Sequence, residues 1–223
     1  MDCVQDYKTM LIQNTLRCFL RDKRANVMLE FAVLLPFLVM MVIGTFAVGL
    51  MFDRHLTEGQ LARNAANMFA RGIKFNSTQN KQLLSKAATS MNLNADGTGD
   101  TVVYLTALTR VALDATCFVA GSSVPCANRG MVVIAQRYVV GNTSIRVSDY
   151  GEPGAGNIDS EGNVFNYEHE SYAVAAAPAA IADPASGIKD GEFVYAADVH
   201  HNPALIKFPG IVAPDQMGAW AFY

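Results

Sequence analysis

From position 31 to position 52 the chain reads FAVLLPFLVMMVIGTFAVGLMF, 22 residues without one charged side chain. No other stretch constrains the fold as tightly. At 1.5 Å per residue a helix of this length spans about 33 Å, which matches the hydrocarbon thickness of a bilayer. Lipid offers no hydrogen bonds to the backbone, so a helix is the conformation that lets a lone segment satisfy its own amides. The alternative, a buried helix in a soluble protein, is rarely so long and so apolar on every side. Pro36 interrupts the run. It removes one backbone donor, so a kink or a partner helix is expected near it.

The flanks give this segment a direction. Before it stand Lys8, Arg17, Arg21, Lys23 and Arg24 against Asp2, Asp6 and Asp22; after it comes Asp53-Arg54-His55, with little cationic excess. The positive-inside rule then places the N-terminus in the cytoplasm and the larger C-terminal part outside it. The run is too long for the apolar part of an ordinary secretory signal, and no Ala-x-Ala-like site follows closely.

Composition excludes more than it identifies. Among 223 residues, 17% are charged and 51% hydrophobic, and the net charge is −3. A nucleic-acid partner is not expected, because such proteins carry a cationic surface that displaces phosphate counterions. Cys3 and Cys18 precede the apolar run, whereas Cys117 and Cys126 follow it. If a membrane separates the pairs, the outer one faces an oxidising compartment. The intervening Gly-Ser-Ser and Val-Pro suit a turn, so a Cys117–Cys126 disulfide is expected.

Beyond position 52 the helical pattern continues. Thr57, Gln60, Asn64 and Asn67 form a polar face, and Leu61, Ala65, Met68, Phe69 and Gly72 an apolar stripe. A second helix is expected over 78–91, capped by Asn76 or Ser77, with Leu83, Leu84, Ala87 and Ala88 as apolar positions. The pattern then changes to strands at 101–106, 131–140 and 191–199. The stretch 148–163 reads as loop, the alanine-rich 173–183 is ambiguous, and the aromatic C-terminal end is expected to dock on its own domain. The fold class is therefore α+β: a long N-terminal transmembrane helix continuing into a periplasmic stalk helix, packed with a small antiparallel β-sheet domain. The expected divisions are 1–25 (basic cytoplasmic leader), 26–52 (transmembrane helix), 53–75 (amphipathic stalk) and 76–223 (periplasmic domain).

Catalytic signatures are missing: there is no H-E-x-x-H, G-x-S-x-G, Walker loop or G-x-G-x-x-G, and the chain is not expected to be an enzyme. Adjacent His200 and His201 should point to opposite faces of a strand, and both read as surface residues. No cofactor is expected, with calcium as the one metal to consider. Positions 157–168 align with a twelve-residue calcium loop: Asn157, Asp159 and Glu161 at its first, third and fifth places, Gly162 at the sixth and Glu168 at the twelfth. Asn in first place, Glu in fifth and the lack of flanking helices make an acidic surface loop the alternative.

The residues entering the apolar run read Arg21-Asp22-Lys23-Arg24-Ala25-Asn26-Val27-Met28-Leu29-Glu30-Phe31. A basic stretch, a small residue and a glutamate five places later resemble the processing signal of type IV pilin-like proteins. The block 24–71 resembles the TadE-like pilus-assembly family, the minor pseudopilins of the Tad/Flp system, whose E-F-A-x-x-x-P core appears here as Glu30-Phe31-Ala32-Val33-Leu34-Leu35-Pro36. The amphipathic continuation from Leu61 to Arg71 also fits, and Gln136-Arg137-Tyr138-Val139-Val140-Gly141-Asn142 fits more weakly. The resemblance implies cleavage by a prepilin peptidase between Ala25 and Asn26, with alanine in place of the commoner glycine. It further implies a single-pass inner-membrane protein whose partners are other pilin and pseudopilin subunits and the pilus assembly platform. A carboxylate at the edge of the apolar run costs on the order of 2–3 kcal/mol unless paired. In pilin-like assemblies the free amine of a processed neighbour supplies that pair, which would make Glu30 a docking group. An uncleaved, membrane-anchored periplasmic binding or adhesion module is the alternative.

Overall fold

The computed structural model describes residues 23–154, 156–169, 175, 187–202 and 217–222. The leader up to position 22, with Cys3 and Cys18, and the alanine-rich 173–183 apart from Ala175 lie outside the described residues. The chain divides into two compact units, Met1–Asp53 and Arg54–Tyr223.

Helix α1 spans Lys23–Ala70 and runs unbroken through Pro36. In the first unit it is the only described element, and its side chains are exposed almost without exception. Thr45 turns its hydroxyl back to the Met41 carbonyl at 2.7 Å, hiding a polar group inside an apolar surface.

In the second unit the rest of α1 is amphipathic. Leu61, Ala62, Ala65, Ala66 and Phe69 are buried, while Gln60 and Asn64 are exposed. The helix ends where Gly72 adopts φ +81°. The Gly72 N–H then reaches the Phe69 carbonyl at 2.9 Å and the Ile73 N–H the Met68 carbonyl at 3.2 Å, a paired terminus that glycine permits. Gly72 itself is exposed and leaves the apolar stripe expected for it. Helix α2, Thr78–Ala87, starts at Ser77, whose side chain accepts the Asn80 N–H at 3.3 Å. A 3-10 turn, Thr89–Met91, replaces the expected last helical turn. Only Leu84, Ala88 and Met91 enter the core; Leu83 and Ala87 face solvent, because a helix this short presents a single narrow face.

Among the described residues six strands follow: β1 (Thr101–Arg110), β2 (Thr116–Val119), β3 (Ser122–Pro125), β4 (Val132–Gly141), β5 (Phe193–His201) and β6 (Met217–Phe222). The main sheet has the order β4-β1-β5-β6 and is antiparallel throughout. β1 is central, and all ten of its residues are buried. That explains why it extends past the expected end at 106: a strand covered on both faces shows no polar alternation. The two faces carry different cores. Val103, Leu105, Tyr138, Ala197 and Val199 join Leu61, Ala65 and Phe69 of α1, with Leu84 of α2 and Leu93. Phe69 meets the rings of Tyr138 and Tyr195 edge-on, at 5.5 and 5.1 Å. Leu108, Ile134, Ala196, Tyr150 and Val164 form the second core.

Candidate functional site

Each unit carries one candidate feature, an exposed apolar surface in the first and a buried polar cluster in the second. The first is the apolar length of α1. Phe31, Phe37, Met40, Met41, Phe46 and Phe52 are each more than half exposed, the two methionines at 73%. Exposure decides what kind of helix this is. A core helix of the same composition would be covered, whereas among the described residues this is the one helix long and apolar enough to cross a membrane, with 6% of its most apolar window buried. Glu30 is exposed and opens the apolar surface one residue before Phe31. The missing N–H of Pro36 leaves the Ala32 carbonyl without its usual helical donor. The backbone of Ala25 and Asn26 lies in the first turn of α1, with Asn26 four residues ahead of Glu30.

In the second unit, Cys117 and Cys126 form a disulfide with Cα atoms 5.0 Å apart. They tie the base of a β2–β3 hairpin, turned by Ala120 and Gly121 at φ +50° and +84°. This left-handed pair suits a two-residue hairpin turn. Reading Gly-Ser-Ser and Val-Pro only as turn residues hid both strands.

In the 157–168 loop Asp159 and Glu161 are engaged by the loop's own amides and by the turn after α1. Asp159 Oδ1 accepts the backbone N–H of Glu161 and of Asn163 at 2.8 and 2.7 Å, and Oδ2 accepts Asn163 Nδ2 at 2.9 Å. The Asn163 side chain, helped by these amides, holds the Asp159 carboxyl below its usual range. Glu161 turns away to Lys74 Nζ at 2.6 Å and Asn76 Nδ2 at 3.1 Å. Glu168 lies beside the hairpin, 4.0 Å from Cys117 Sγ. Asn157 gives its backbone carbonyl to the Phe165 N–H at 2.8 Å. Among the described residues Asp159, Glu161 and Glu168 do not come together as one group; Glu168 lies instead with the disulfide-bonded Cys117 and Cys126. The donors close the loop on itself and pin it to the turn after α1.

The second feature is a buried polar cluster, which the sequence did not bring together. His200 and His201 are buried, at 1% and 6% exposure, against the expectation of surface residues. His201 Nδ1 lies 2.8 Å from the Thr101 hydroxyl, and burial lowers the pKa of its ring. On the opposite face, Asp198 and His200 sit two apart on β5. Asp198 Oδ2 accepts the Ser148 hydroxyl at 2.9 Å and the Asp149 N–H at 2.8 Å, and lies 3.5 Å from His200 Nε2. Asp198 Oδ1 and both His200 nitrogens have no hydrogen-bond partner among the described residues. The Tyr104 ring stands edge-on to His200 at 6.2 Å, and its hydroxyl donates to the Arg146 carbonyl at 2.9 Å. Burial, then Glu152 and Asp198, push that phenol up to about 12. Arg137 is 3% exposed, lies 5.4 Å over the Tyr104 ring and donates to the Gly151 carbonyl at 2.7 Å. Burial lowers its pKa, while Asp198 opposes that shift. The available signals were Arg137 and Asp198, each a charge inside an otherwise apolar strand.

Glu58 is the other buried acid. It is fully covered on the inward stripe of α1, neither oxygen has a hydrogen-bond partner among the described residues, and His55 Nδ1 is 3.7 Å away. Burial lifts its carboxyl to about 7, with His55 opposing.

Fold and surface together define a chain with one long apolar N-terminal helix of the membrane-anchoring kind and a small α+β domain. Residues 26–67 match the family model described as TadE-like protein, which spans both the apolar and the amphipathic parts of α1 and leaves most of the chain outside it. No curated protein and no solved structure matches the chain.

Proposed function

We propose that the chain is a minor pseudopilin that takes part in assembling a Tad-type adhesive pilus by lateral packing of α1 in the bacterial inner membrane. The observation that carries this reading is the exposed apolar length of α1, headed by Glu30, within the residues that match the TadE-like model. An apolar helix with nothing packed on it is suited to lipid and to helices like itself. The basic leader remains cytoplasmic, the α+β domain lies in the periplasm, and the role is structural rather than enzymatic. The prepilin peptidase removes residues up to Ala25, leaving Asn26 as the new amine. Glu30 then lies in the first turns of a processed helix, where a neighbouring subunit's amine can pair with it. The implied partners are pilin and pseudopilin subunits and the assembly platform.

Mass spectrometry of the purified protein tests the processing step. A mature terminus at Asn26, lost when the prepilin peptidase is deleted, is the expected result; an intact leader would favour an uncleaved anchored module. Glu30→Ala is expected to reduce pilus number and surface attachment several-fold while leaving membrane insertion unchanged. Wild-type piliation in that variant would remove the docking role.

A further inference from the structure

We propose that Asp149, Asp198 and His200 form a site for a divalent transition-metal ion of the zinc type, independent of the assembly role of α1. The proposal begins with atoms that the fold buries and leaves unused. At 1% exposure, both nitrogens of His200 and one oxygen of Asp198 lack hydrogen bonds among the described residues. Each such orphan costs about 1–3 kcal/mol, and native cores rarely keep several together without a use for them.

The residues that carry these atoms lie together with Asp149. One ligand atom each from Asp149, Asp198 and His200 lies within 4.8 Å of the others. Ligand atoms on a tetrahedral zinc stand about 3.3 Å apart, so closure requires side-chain shifts of about 1 Å. Asp198 and His200 are held by β5 in the middle of a buried sheet face, whereas Asp149 comes from the loop that covers it. The Asp149 side chain is 45% exposed, so this member of the group reaches solvent.

The surroundings resemble the outer shell of a metal centre more than those of a simple ion pair. Ser148 Oγ and the Asp149 N–H fix Asp198 Oδ2 and leave Oδ1 available. The edge of Tyr104 limits rotation of the His200 ring. Arg146 holds Asp149 Oδ1 at 2.8 Å, but this pair is largely exposed and an ion can displace it. The charge of Arg137 offsets part of the carboxylate charge, so an ion is not required for neutrality. One imidazole with two carboxylates suits zinc and its first-row neighbours; calcium and magnesium prefer oxygen-only sets.

The test uses untagged full-length protein in detergent, stripped with EDTA and titrated calorimetrically with zinc chloride. Saturable binding with a raised thermal midpoint is expected. Asp149→Asn should weaken the tightest binding event by about tenfold or more, with an unchanged midpoint in EDTA. His200→Gln should abolish that event. Should His200→Gln not fold, the exposed Asp149→Asn decides alone. Absence of saturable binding, or equal affinity in wild type and Asp149→Asn, overturns the proposal.

Discussion

Glu58 shows how one residue can set a pH response. In the unfolded chain its carboxyl titrates near 4.5; in the folded protein burial raises this to about 7. Between those values the folded state keeps a proton that the unfolded state releases. Stability therefore falls as pH rises through the window, by up to about 1.4 kcal/mol per unit, and the penalty is complete above 7. His55 and Arg54 on the same helix and His200 on β5 are the charged or titratable groups that temper it. Glu58→Gln is expected to raise the thermal midpoint at pH 8, to change it little at pH 4.5, and to flatten the slope between. An unaltered slope in thermal melts across that range would remove Glu58 as the cause. The sequence placed Glu58 on a helix but not inward, since a single acid among Leu56, Thr57 and Gln60 carries no sign of burial.

Among the elements, the β2–β3 hairpin depends most on a covalent tie. Its strands are four residues each, and Thr116, Phe118, Val119, Ser122, Ser123 and Pro125 are exposed, so little apolar burial holds it. Closing a loop with a sequence separation of 9 contributes about 2–3 kcal/mol by restricting the open chain. Cys117→Ser is expected to increase amide exchange within 116–125 while β1 and β4 keep their protection, as hydrogen-exchange mass spectrometry would show. Exchange spreading through the main sheet would mean that the hairpin supports the core. The α2 cap was legible at Asn76 and Ser77, because such a signal is local, whereas Gly72 was placed in the apolar stripe although it ends α1. The 3-10 turn after α2 and the strands flanking Ala120-Gly121 were not legible: the hairpin strands pair with each other and are largely exposed, so neither carries the apolar run or alternation that marks a strand.

For the whole molecule, the reading of α1 as a membrane span has a topological consequence. The protein is expected to remain in the membrane fraction after carbonate extraction. A membrane-impermeant thiol reagent should label a Gln60→Cys variant in cells with a permeabilised outer membrane. It should reach Cys3 and Cys18 only after the inner membrane is lysed, provided the leader is still present. The opposite labelling pattern would invert the orientation drawn from Arg21, Lys23 and Arg24.

By itself, the sequence determined the apolar span, its flanking charges, the change from helical to strand periodicity and the residues that resemble a pilin-type processing site. These are properties of neighbouring residues in the chain, and hydropathy with a period of 3.6 or 2 reports them directly. The tertiary structure decided that β1 is central, that both faces of the sheet are covered, and that His200 and Asp198 meet Asp149 beneath a loop. Those facts arise from strand order and from residues about fifty positions apart, such as Ser148 and Asp198. No local pattern encodes which partner buries a polar side chain, so the sequence could list these groups but not assemble them.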